Sequence, residues 1–128
     1  MQTTDGTQGE AVSASADDKL KICRKLSEFD VDYVEAGWPG SNPKDAEFFD
    51  RAKRELNDLE RKKLAAFGST RRKGVDVGQD KQVQALIDSE APTVCIVAKA
   101  HSWQVLEILK CKDVEENLRM IEDTVSYL

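Results

Sequence analysis

The sequence predicts an α/β fold built on a parallel sheet, and two observations predict it. Short apolar runs begin near residues 31, 63 and 93, about 30 apart, and each is followed by a segment with helical apolar spacing. The runs are apolar on both faces, as strands covered by crossover helices should be. A chain of 128 residues with 40% hydrophobic and 34% charged residues suits one folded domain over 1–128 and excludes a disordered or fibrous chain. The runner-up architecture is a small doubly wound sheet. Its phosphate signature would be a Gly-rich turn directly after a first strand, and Gly37-Trp38-Pro39-Gly40 lacks that form.

Residues 1–12 are polar and Gly-containing and read as loop, the remnant of a first strand end. Ser15 with Asp18 forms an N-cap pair for a first helix, whose stripe reads Ile22, Leu26 and Phe29 with Leu20 and Cys23 beside it. Residues 31–36 are a β-type run, closed by the turn-rich Gly37-Trp38-Pro39-Gly40-Ser41-Asn42-Pro43. Asn42 caps the next helix with Pro43 at its first position, and Phe49, Ala52, Leu56 and Leu59 form its stripe. Residues 63–68 read as strand and 69–78 as a basic, Gly-containing loop, and Val83, Leu86 and Ile87 mark a third helix. Thr93-Val94-Cys95-Ile96-Val97-Ala98 is the most strand-like run. Trp103, Leu106 and Leu109 follow at helical spacing. Asp113 caps a last helix with Val114, Leu118, Ile121, Val125 and Leu128 on one face. Both tryptophans, Trp38 and Trp103, are expected to be packing residues.

The formal charge of −5 argues against nucleic acid or an anionic membrane as the main partner, since phosphate contacts need clustered cations. No stretch reaches the length of a spanning helix and no secretory signal is visible, so a cytoplasmic protein is expected. The three cysteines, Cys23, Cys95 and Cys111, are widely spaced in apolar surroundings and are expected to be buried free thiols. A catalytic cysteine is the weaker alternative. His101 is the one histidine, which excludes a multi-His metal site made by this chain and leaves it a rim or capping imidazole.

In parallel α/β sheets reactive groups collect at the C-terminal ends of strands. Four places qualify: Asp5-Gly6-Thr7-Gln8-Gly9-Glu10, Glu35, Gly68-Ser69-Thr70-Arg71-Arg72, and Lys99-Ala100-His101-Ser102. Carboxylates, hydroxyls and cations converging on one rim suit an anionic, oxygen-rich ligand with a divalent cation. A solvated basic loop at 69–72 and a salt bridge at Lys99 are the plainer readings.

Three stretches resemble the N-terminal half of the citramalate synthase and 2-isopropylmalate synthase family: residues 5–10, Val34-Glu35-Ala36-Gly37-Trp38-Pro39-Gly40-Ser41-Asn42-Pro43-Lys44-Asp45, and Ala65-Ala66-Phe67-Gly68-Ser69-Thr70-Arg71-Arg72. Glu115-Glu116-Asn117-Leu118 is similar to it as well, and the citramalate branch is the closer match. The resemblance implies a partial (β/α)8 TIM barrel of three to four βα units. It implies condensation of acetyl-CoA with a 2-oxo acid, in branched-chain amino-acid biosynthesis, with a divalent metal (Mg, Mn or Zn) as Lewis acid. By match of motif Asp5 is the metal ligand, Glu35 and Gln8 are catalytic-site residues, and Thr70, Arg71 and Lys99 are substrate-binding.

Two departures accompany the match. The family pattern reads Thr-Thr-Leu-Arg-Asp-Gly, whereas Thr4 runs directly into Asp5, so the arginine that would stabilise charge on the oxo or enolate oxygen is absent. Loss of one such donor costs about 100- to 1,000-fold in rate. The family's His-x-His metal ligands are absent too. An inactive chain is therefore expected, with a catalytically silent, self-associating or partner-binding domain as the alternative. A partial barrel leaves open edges, so a homo-oligomer or the missing barrel half is the expected partner.

Overall fold

The computed structural model describes residues 14–29 and 31–128. The expected loop at 1–12, with Asp5 and Gln8, lies outside the described residues. Helix α1 spans Ala16–Glu28 and strand β1 spans Val34–Gly37. Helices α2 (Pro43–Glu55) and α3 (Asp58–Lys62) precede strand β2 (Leu64–Ser69). A 3-10 turn at Val77–Gln79 leads into helix α4 (Lys81–Asp88), and strand β3 spans Thr93–Val97. A π-helical turn at Gln104–Ile108 and helix α5 (Val114–Tyr127) complete the order.

The strands form one parallel sheet in the order β1-β2-β3. Side chains alternate between the faces of a strand. Val34, Ala36, Leu64 and Ala66, with the half-buried Val94 and Ile96, pack against Leu20 and Cys23 of α1, Phe48, Phe49 and Ala52 of α2, and Leu86 of α4. Gly68 lies on that face as well: an added Cβ there would sit 2.5 Å from Leu86, so α4 seats directly on the strand. These helices thus cover the same face of the sheet. A doubly wound sheet needs helices on both faces. Sequential strand order with a one-sided helix layer is consistent with a partial (β/α)8 barrel.

The other face carries Glu35, Ala65, Phe67, Ser69, Thr93, Cys95 and Val97. Ala65 is buried, but Cys95 is exposed and Val97 is 39% exposed. This is the inward face of a barrel, and it opens towards β3.

The termini follow their local chemistry. Ser15 and Asp18 form a reciprocal capping box, as expected. Asn42 accepts from Lys44 N with Pro43 in the first turn, and Asp113 accepts from Glu116 N. Asn57 adds a second capping box, which ends the expected long helix early and starts α3.

Several helix phases depart from expectation. In α1 the buried face is Ala16, Lys19, Leu20 and Cys23, while Ile22 and Phe29 are exposed. In α2 Phe48 joins Phe49 and Ala52 inside, and Leu59 lies exposed on α3. Val83 and Leu86 are buried but Ile87 is not. The largest difference is in α5. Asn117, Met120 and Thr124 face inward, and Val114, Leu118, Val125 and Leu128 face solvent. Polar partners decide that rotation. Asn117 Nδ2 donates to the Lys99 carbonyl at 3.0 Å, and Thr124 Oγ1 accepts from Arg71 N at 2.9 Å. Trp103 is exposed rather than packed. Cys23 and Cys111 are buried free thiols, but Cys95 is exposed because its strand position points to the open face.

Candidate functional site

The C-terminal ends of β1, β2 and β3 share one rim. Glu35 pairs in register with Ala65, and Ala65 with Thr93, so the Glu35 carboxylate rises from the inward face, half-buried. Thr70 follows β2 directly and Lys99 follows β3 by two residues. Thr70 and Lys99 therefore lie past the C-terminal ends of their strands, whereas Glu35 is level with the starts of β2 and β3, five and six residues below them on the inward face.

Arg71 is engaged elsewhere. Its Nε donates to Asp123 Oδ2 at 2.8 Å and its Nη2 lies 2.6 Å from the same carboxylate. Its Nη1 donates to the carbonyls of Arg72 and Val75 at 3.3 Å each. The Arg71 side chain is 14% exposed, and its guanidinium fastens the 69–78 loop to α5. Next to it, Asp80 fastens the other side of that loop. Fully buried at the N-terminus of α4, it accepts from Arg72 N at 2.8 Å, Arg72 Nε at 3.2 Å and Gln82 N at 2.9 Å. Burial works to raise the Asp80 carboxyl, but the hydrogen bonds from Arg72, Gln82 and Val83 together outweigh it and hold it below the ordinary carboxylate range. A cavity of about 500 Å³ lies beside this latch, lined by Arg71, Val75, Glu116, Arg119 and Asp123 among others.

His101 is a capping imidazole, as expected: its Nδ1 accepts from Trp103 N at 3.1 Å. Among the described residues no group of three or more His, Cys, Asp or Glu comes together to hold a metal.

Sequence reasoning passed over Lys19 and Asp45. Lys19 of α1 and Asp45 of α2 form an ion pair whose side chains are 6% and 5% exposed. Asp45 Oδ2 accepts from Trp38 N at 2.8 Å, and Lys19 Nζ donates to the Ala36 carbonyl at 3.3 Å. Gly37 has φ +151°, and an added Cβ would sit 2.5 Å from the Asp45 carboxylate. This explains the Gly37-to-Asp45 motif physically: glycine leaves room for the carboxylate, Asn42 caps α2 and Pro43 starts it. The signal was present, since each helix carries one charge, of opposite sign, in phase with its apolar residues.

A family model described as HMGL-like matches residues 2–128. The chain is 48% identical over 124 residues to an (R)-citramalate synthase of Streptomyces coelicolor, covering 97% of this chain and 23% of that protein. An (R)-citramalate synthase of Aquifex aeolicus is likewise 48% identical over 97% of this chain and 23% of its own length. A 2-isopropylmalate synthase of Halothermothrix orenii is 36% identical over 56% of this chain and 13% of its own length. The chain thus spans less than a quarter of these relatives. No solved structure matches.

Proposed function

Because the chain belongs to the HMGL-like family, we propose that it forms the front of a condensing enzyme of the citramalate synthase type, which joins acetyl-CoA to a 2-oxo acid. The observation that carries this reading is the 48% identity to (R)-citramalate synthases across 97% of the chain. In the reaction a proton leaves the acetyl methyl group, that carbon bonds to the oxo carbon as the carbonyl π pair moves onto oxygen and takes up a proton, and water cleaves the thioester to free CoA.

On this reading Glu35 lines the substrate pocket from the inward face of β1. Thr70 and Lys99 meet the oxo-acid carboxylate from the ends of β2 and β3, and the family resemblance alone adds Gln8 as a catalytic-site residue. Arg71, spoken for by Asp123, holds the loop that carries Thr70. On the family resemblance a divalent cation would be needed here, with Asp5 proposed as the ligand drawn from this chain. The described residues add no cluster of three ligating groups, so they do not fit a metal site by themselves, and no step is derived through the ion. Without the arginine before Asp5 the developing oxyanion lacks its expected cation, and we assign this chain little or no turnover of its own.

The test is a chimera in which this chain replaces the matching stretch of the Streptomyces coelicolor relative. Release of free CoA from acetyl-CoA, slow for want of the arginine, is expected only with a 2-oxo acid and a divalent metal present, and to vanish with Asp5→Ala. Release that ignores Asp5→Ala contradicts the assignment. The second reading, a silent self-associating domain, is favoured by the exposed apolar residues of α5. It predicts a dimer in size-exclusion chromatography.

A further inference from the structure

The Lys19–Asp45 pair sits at a β-bulge. Along β1 the register runs Val34 with Leu64 and Glu35 with Ala65, then jumps to Gly37 with Ala66, leaving Ala36 as an extra residue. A bulge shifts every later side chain to the opposite face. Continuing the shifted register sets Trp38 beside Phe67, on the inward face. The two rings do meet, edge to face, with centroids 5.3 Å apart at 80°. Regular alternation would instead have sent Trp38 towards the helices with Val34 and Ala36.

Each contact of the ion pair holds the bulge. Lys19 Nζ takes the Ala36 carbonyl, the Asp45 carboxylate occupies the space beside Gly37, and Asp45 Oδ2 takes the Trp38 N–H. The arrangement is a poor source of stability. Lys19 is buried in the first turn of α1, where the helix dipole disfavours a cation. Buried ion pairs in general stabilise no better than well-packed apolar residues of the same volume.

We propose that Asp45, with Lys19 as its buried counter-ion, is a positioning residue: it clamps the β1 bulge through the Trp38 N–H and thereby turns Trp38 onto the inward face above Glu35, as one wall of the oxo-acid pocket. The pocket role rests on the condensing-enzyme reading, but the clamp does not.

The test uses this chain with Trp103→Phe, so that Trp38 is the one remaining tryptophan. Two doubly substituted forms separate positioning from mere support, and neither leaves a buried charge unpaired. Lys19→Met with Asp45→Asn keeps an acceptor for the Trp38 N–H and is expected to preserve Trp38 emission and the near-ultraviolet dichroism of the Trp38–Phe67 pair. Lys19→Met with Asp45→Leu removes the acceptor; emission shifts to the red and the dichroism is lost, while the urea midpoint stays that of the first form. Identical Trp38 signals in the two forms overturn the clamp. If the second form does not fold, hydrogen exchange of the parent decides. The Trp38 amide, although beyond the strand, is expected to exchange about 100-fold or more slower than an open loop amide. Exchange at the open-loop rate overturns the proposal. No substrate enters these measurements, so a chimera that stays silent with Leu-Arg restored before Asp5, while the Trp38 signature is intact, rejects the pocket role and leaves the clamp standing.

Discussion

Gly37 is where a single atom decides the local structure. Its φ of +151° is one that side chains rarely adopt, and the Asp45 carboxylate fills the place of a Cβ. Gly37→Ala is therefore expected to cost at least about 2 kcal/mol, from backbone strain and displacement of a buried carboxylate together. Urea unfolding monitored by far-ultraviolet dichroism measures it, and a cost below 0.5 kcal/mol, within the usual scatter of surface substitutions, contradicts the close approach. Asp80 offers a second check. Its carboxyl is held below the ordinary range, so its contribution to stability is present above the unfolded value of about 4 and is lost as pH falls through the lowered folded value. Asp80→Asn should remove that contribution and flatten the acid limb of a stability–pH curve; an unchanged limb argues against the latch. At this scale the sequence displayed caps well, because a cap is a local pattern of Ser, Asn or Asp and the helix that follows. It did not display Lys19, Asp45 or the engagement of Arg71, because each depends on a partner from another element, between 26 and 52 positions away.

The elements tell a similar story with one instructive failure. Strand positions were legible because Val, Ile and Ala runs bounded by Gly or polar turns have few other uses. The phase of α5 was not, because its most continuous apolar stripe faces solvent. Its burial is set by Asn117 and Thr124, whose polar atoms satisfy the carbonyl of Lys99 and the amide of Arg71. An unpaired buried amide or carbonyl is costly enough to outweigh an exposed leucine. Leu118→Glu is accordingly expected to change stability by no more than about 0.5 kcal/mol, whereas Met120→Ala, at a site 2% exposed, should cost about 2–5 kcal/mol. The reverse ranking in a chemical-denaturation series would show that α5 is rotated from its described position. Residues 104–108 were expected in ordinary helical spacing and form a π-helical turn instead, with Val105 inside and Leu106 and Ile108 outside.

For the whole molecule, the parallel sheet follows from the 30-residue repeat of strand and helix and was readable without coordinates, but the order β1-β2-β3 with helices on one face was not, because a doubly wound sheet has the same repeat. The openness of the second face was readable only as a consequence of counting strands. Thiol chemistry reports it. Burial raises the Cys23 thiol to about 11 and raises Cys111 as well, so with an alkylating reagent at neutral pH Cys95 should react first and the other two only on unfolding. Protection of Cys95 in the native chain would show that the inward face is covered, as a self-associating domain predicts.

If this chain supplies one side of a condensing site, as proposed, that site lacks the cation expected before Asp5. The most direct measurement inserts Leu-Arg between Thr4 and Asp5 of the chimera and compares CoA release with and without the insertion. The account predicts a gain of about 100- to 1,000-fold in rate. Equal rates, or a chimera that stays silent with the arginine restored, would contradict it.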